Sequence, residues 1–188
     1  MTFSRRAAGS VAADARLRLF VALRLPADTV AALVAWQHEA LSRGRIVPPD
    51  NLHFTLAFLG QRPLAELEQI VAALRDAAEP ADPIRLVPKG YRETRSVGML
   101  ILTDEGGAAT RLAEDLQGRL EQLGVYVRER RRWLPHVTVV RFREQPRLRP
   151  PVPDLGEVVP SDAAAFISQL RPTGAQYLVV ESFALGGR

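Results

Sequence analysis

The sequence has no cysteine, a single lysine and only three histidines in 188 residues, and each shortage removes a class of chemistry. Without cysteine there is no disulfide, no thiol nucleophile and no thiolate metal site. No run approaches the roughly 20 apolar residues that a spanning helix needs. A cytoplasmic protein without a membrane anchor is therefore expected. No Gly-x-x-x-x-Gly-Lys loop is present, which disfavours ATP-driven chemistry. What is plentiful is arginine, since every basic residue except Lys89 is one, and 25 basic against 21 acidic side chains leave a formal charge of +4. Such a balance suits a phosphate-bearing partner, although genomic base bias produces the same excess. With 47% hydrophobic residues, a chain of this length can bury a core as one domain or two small lobes. Residues 1–16 hold Arg5, Arg6 and an apolar stretch too short for a secretory signal. They are expected to form a disordered tail ahead of one folded unit, 17–188.

Two of the three histidines carry threonine two positions on. With eight threonines in the chain, that coincidence has a chance probability of about half a percent. The first copy lies in Asn-Leu-His-Phe-Thr-Leu-Ala-Phe-Leu-Gly, Asn51 to Gly60, and the second in Pro-His-Val-Thr-Val-Val-Arg-Phe, Pro135 to Phe142. Both runs are apolar, β-branched or aromatic, and so read as strands. Successive strand side chains alternate faces. His53 and Thr55 thus share a wet face while Phe54, Leu56 and Phe58 enter the core, and His136 and Thr138 repeat this against Val137 and Val139. Two such faces turned together would make a cleft holding two imidazoles.

The rest of the chain supports a duplication. Leu17 to Leu25 reads as a buried strand closed by Pro26, followed by a helix capped at Asp28 and ending near Gly44. The first motif strand ends at Gly60, and Pro63 starts a second helix that Pro80 and Pro83 terminate. Ile84 to Val87 reads as a strand, Lys89 to Arg95 as a basic turn, and Val97 to Thr103 as a buried strand. A helix stopped by Gly124 follows, then an arginine-rich link and the second motif strand. Strand, helix, His-x-Thr strand thus occurs twice. Five prolines between Arg143 and Asp162 predict a long surface loop, and Ala164 to Leu170 with Gln176 to Leu185 a closing hairpin.

These residues resemble a known family. The doubled His-x-Thr, the opening Arg-Leu-Phe-Val-Ala-Leu-Arg-Leu-Pro and the late Ser168-Gln-Leu with Gly174-Ala-Gln-Tyr and Phe183 look like the RNA 2′,3′-cyclic phosphodiesterases. These belong to the two-histidine phosphoesterase superfamily, once called 2′-5′ RNA ligases. The resemblance spans roughly Leu17 to Leu185. It implies an α+β fold of two pseudo-symmetric lobes, each a mainly antiparallel sheet with helices on its outer face, flanking a central cleft. It further implies hydrolysis without metal or cofactor, a 2′-phosphomonoester product, His53 as proton donor and His136 as proton acceptor. The implied partner is RNA with a 2′,3′-cyclic phosphate end; no protein partner is implied, and a monomer is expected.

Opening a cyclic phosphodiester needs one proton removed from water and one delivered to the leaving sugar oxygen, and imidazole performs either near neutral pH. Thr55 and Thr138 can donate hydrogen bonds to the non-bridging oxygens. Arg141 is a candidate phosphate ligand, but strand parity puts it opposite His136 unless a bulge intervenes. Arg130 and Arg132, either side of Arg131, suit an RNA backbone or merely a solvated face. Trp133 and Tyr91 are candidate base-stacking rings, with burial as the competing reading. His38, on a helix and without its threonine, reads as an exposed or capping residue. Three activities stay open: the cyclic phosphodiesterase, a same-fold ligase or small-nucleotide phosphodiesterase, and a non-catalytic RNA-binding module.

Overall fold

The computed structural model describes residues 15–172 and 174–187. The expected tail therefore lies, over residues 1–14, outside the described residues, and Arg16 already belongs to the first strand. In order come β1 (Arg16–Arg24), α1 (Ala27–Ala40), β2 (Arg45–Ile46), β3 (His53–Pro63), α2 (Leu67–Ala78), β4 (Arg85–Glu93), β5 (Val97–Glu105), α3 (Ala108–Gln122), β6 (His136–Arg141), β7 (Asp162–Arg171) and β8 (Gly174–Ala184). The fold is α+β. Its strands form one eight-stranded sheet in the order β4-β5-β6-β3-β1-β7-β8, with β2 beside β6, and every pairing is antiparallel.

The two expected lobes are the two halves of this sheet. One holds β1, β3, β7 and β8, the other β2, β4, β5 and β6, and they meet at the register pair Phe54–Val137. Both members of that pair are buried on the helix-covered face. There Leu33 of α1, Ile70 and Leu74 of α2, and Leu116 and Leu120 of α3 join Leu23, Leu56 and Leu100 in one core. An amphipathic helix is stable only with its apolar stripe buried. Three such stripes laid on one face leave the other face of the sheet free for a site.

Four local expectations are corrected. Gly60 does not end β3. It takes φ +67° within the strand, beside an extra residue, Leu59, that interrupts pairing with β1. Glycine adopts that left-handed conformation at no steric cost, so here it serves a bulge and not a stop. Lys89 to Glu93 is likewise not a turn but the end of β4, whose irregularity at Pro88/Gly90 accommodates the punctuating residues. The second helix begins at Leu67, after a 3₁₀ turn over Leu64–Glu66, and the closing hairpin is longer than its apolar runs suggested.

Candidate active site

The register through Phe54–Val137 builds the site. In an antiparallel ladder, the residues flanking that pair fall opposite one another, so His53 lies beside Thr138 and Thr55 beside His136. Each histidine therefore faces the other motif's threonine. All four are half-buried, on the face opposite the core.

Each imidazole is held the same way. The His136 Nδ1 is 2.8 Å from the Leu134 carbonyl, and His53 hydrogen-bonds to the backbone of Asn51, again two residues upstream. A carbonyl only accepts, so the neutral His136 ring carries its proton on Nδ1 and keeps the Nε2 lone pair for another partner. Asn51 is tied down in turn, its Nδ2 donating to the Ala175 carbonyl at 2.8 Å.

Both motif strands bulge at the residue after threonine. Register shifts place one extra residue, Leu56, in β3 opposite Val21/Ala22, and one, Val139, in β6 opposite Gly98/Met99. A bulge reverses facing for the residues beyond it. Leu56-Ala57 and Val139-Val140 thus become buried doublets, and the fifth residue after each histidine returns to the open face. In β6 that residue is Arg141, which the bulge brings to the cavity. In β3 it is Phe58, expected in the core but 50% exposed. Each bulge carbonyl is met by a buried glutamine: Gln117 Nε2 donates to the Leu56 carbonyl at 2.8 Å and Gln37 Nε2 to the Val139 carbonyl at 2.7 Å. Close approach at Gly98 completes the second bulge, since a Cβ there would lie 2.6 Å from Val140 and closer still to the Tyr91 hydroxyl.

These elements enclose a cavity of about 630 Å³ lined by His53, Thr55, Thr138, Arg141, Asn51 and Tyr177 among others. His136 is not among the residues lining it, but it follows from the register that it sits beside Thr55, near enough for its charge to disfavour charge on His53. The remaining candidates are placed elsewhere. Tyr91 packs on Trp36 and donates to Glu93 at 3.2 Å, while burial and that carboxylate push its pKa up. Trp133 uses its Nε1 to bind the Thr55 carbonyl at 2.8 Å, so it braces the motif and does not line the cavity. Arg130 and Arg132 are exposed and outside it, and His38 is exposed on α1.

Sequence reasoning missed the surroundings of His53. Its ring lies 4.9 Å from Phe20 and 5.4 Å from Tyr177, and Phe166 stacks on Phe20 at 4.9 Å. Only the late Gly-Ala-Gln-Tyr pattern hinted at Tyr177. This aromatic wall strips water from His53. Burial, opposed by the Asn51 hydrogen bond and reinforced by His136 and Arg141, lowers its pKa from 6.5 to about 4. In an NMR titration, His53 should therefore ionise near pH 4 in the free protein and higher with a nucleotide phosphate bound, because an anion favours imidazolium. An unchanged midpoint on saturation would refute that electrostatic reading. Between pH 6.5 and 4 the unfolded chain binds this proton and the folded one does not. Stability accordingly falls as pH falls through that window, by up to about 3 kcal/mol.

Comparison with known proteins gives this geometry a lineage. The LigT-like phosphoesterase family model matches residues 23–92, which include His53 and Thr55. An RNA 2′,3′-cyclic phosphodiesterase of Thermus thermophilus is 35% identical over 182 residues, 91% of each chain. A crystal structure from the same organism, that of TT0787, superposes with a TM-score of 0.77 at 35% identity, covering 91% of this chain and 99% of that one. Apo LigT of Escherichia coli, at 23% identity, shares the fold with a TM-score of 0.79 over 90% of this chain and 98% of its own. The chain belongs to the LigT-like phosphoesterase family.

Proposed function

We propose that this protein hydrolyses the 2′,3′-cyclic phosphodiester at the end of an RNA to a 2′-phosphomonoester. What carries the reading is the Phe54–Val137 register, which sets two imidazole and hydroxyl pairs side by side on one open face. Two curated relatives are named RNA 2′,3′-cyclic phosphodiesterase, which supports the substrate class.

Water attacks phosphorus and gives its proton to Nε2 of His136, the nitrogen its Leu134 bond leaves unprotonated. The P–O3′ bond breaks in line, and His53 delivers a proton to the departing O3′. Thr55 and Thr138 donate to the non-bridging oxygens, and the Arg141 guanidinium balances the charge that builds there. With two groups handling both protons, no step calls for a metal. Since burial lowers the His53 pKa in the free protein, the proton it donates is taken up as the phosphate anion binds beside it and raises that pKa.

The test is to incubate purified protein with an oligonucleotide ending in a 2′,3′-cyclic phosphate, with and without EDTA, and identify the product isomer. Undiminished formation of the 2′-phosphate in EDTA is expected. Loss on chelation would replace the mechanism with a metal-assisted one, and a 3′-phosphate would overturn the choice of bond. Salt-sensitive RNA binding without turnover would make the protein an RNA-binding module.

A further inference from the structure

We infer that the far end of the cavity is a subsite for the nucleotide that precedes the one carrying the cyclic phosphate, with its base on Phe58 and the phosphate linking the two on Arg18. The inference rests on the phosphodiesterase reading above and adds to it the residues that hold the penultimate nucleotide of the RNA.

The bulge at Leu56 is the starting point, because it alone turns Phe58 out of the core and onto the open face. On the neighbouring strand Phe20 pairs with Phe58 and Arg18 with Gln61, so Arg18 and Phe20 project to the same face as Phe58. The β1–β7 register, Leu19 to Ile167 and Phe20 to Phe166, carried one pair further sets Ser168 beside Arg18. The Arg18 guanidinium lies 5.0 Å from the Phe58 ring centroid. Arg18, Phe58, Ser168 and Leu170 all line the same cavity as His53 and Thr138. A cation, a hydroxyl and two exposed apolar side chains are what a phosphate and a base together require.

Two features separate this end from the reacting centre. Along β3, Phe58 lies five residues from His53, about 13 Å after allowing for the bulge. On β1 the Phe20 ring, 4.9 Å from His53, occupies the cleft-facing position before Arg18. A phosphate gripped by the histidines is thus served by Arg141, and Arg18 is left to meet another one. Its charge has no carboxylate partner among the described residues, and its Nε is buried without a hydrogen-bond acceptor. Leaving a buried donor unmet is costly, and a phosphodiester oxygen would supply the acceptor.

The measurement is the ratio of kcat/KM for a dinucleotide 2′,3′-cyclic phosphate to that for a nucleoside 2′,3′-cyclic phosphate. We expect the ratio to exceed ten. It should fall five- to a hundredfold in Phe58→Leu or Arg18→Gln, the range that losing one stacked base or one charged contact produces. Substrate changes give the same information without touching the fold. An abasic upstream nucleotide should mimic Phe58→Leu, and an uncharged methylphosphonate linkage should mimic Arg18→Gln. A wild-type ratio near one, or variants that slow both substrates equally, overturns the subsite. If neither substrate turns over, the parent reading fails. Affinity for an unreactive RNA dinucleotide then decides: weakening by Arg18→Gln upholds the subsite and no change refutes it.

Discussion

His53→Ala and His136→Ala should each lower kcat/KM for a cyclic phosphate end by about 10²–10⁴, the usual worth of a positioned acid or base. In the proposed mechanism the two rings act in one transition state, across one phosphorus. Removing both should accordingly cost little more than the worse single replacement, because a proton acceptor is useless without its donor. Far-UV circular dichroism should stay native in both variants. Their Cα positions belong to strands whose core contacts are made by Phe54 and Val137 on the opposite face, and those are untouched. A loss below tenfold in either variant would remove that histidine from the chemistry. A full multiplicative loss in the double variant would show that the two act in separate steps.

Phe54→Ala should be the most damaging single replacement for stability, at about 3–5 kcal/mol. For a chain of this size that is a fall in Tm of roughly 6–20 °C. The ring is fully buried, and it occupies the pairing position that joins the two halves of the sheet. Its loss leaves a void under the line where His53, Thr55, His136 and Thr138 meet. Activity should consequently decline well below the new Tm, as the two motif strands lose fixed register. Thermal denaturation beside a rate measurement at 20 °C below the midpoint checks both parts. A shift under 2 °C would show that the joint is held by something else.

The proposed site was legible in the sequence because it depends on residue types repeated at short spacing. Two His-x-Thr stretches in apolar strands announced one open face, and helical periodicity supplied the cover for the other. What alternation could not reveal was where it breaks. Bulges at Leu56 and Val139 leave no compositional mark, and they decide that Phe58 leaves the core and that Arg141 reaches the cavity. The doubt over Arg141 was raised by parity, and its resolution needed coordinates. Gly60 misled for a related reason, since a glycine ending a strand and one inside a bulge look alike in one dimension. The aromatic wall of Phe20, Phe166 and Tyr177 was illegible because its members come from three strands, and a ring's distance from an imidazole is a property of pairing order. Tyr91 and Trp133 were placed by proximity in sequence to basic or catalytic residues. Their hydroxyl and indole bonds to Glu93 and Thr55, and their packing against the core, show that nearness in sequence does not put a ring in the cavity.

The glutamines behind the two bulges carry a consequence for the duplication. Gln37 sits on the helix of the first strand-helix-strand unit yet props the His-x-Thr strand of the second, and Gln117 on the helix of the second props the strand of the first. The repeats are cross-braced like two frames that share their dowels. A fragment containing either repeat alone would lack the glutamine behind its own His-x-Thr strand, and Gln37 would keep only its Val47 carbonyl, so this bracing exists only where two such units pack together.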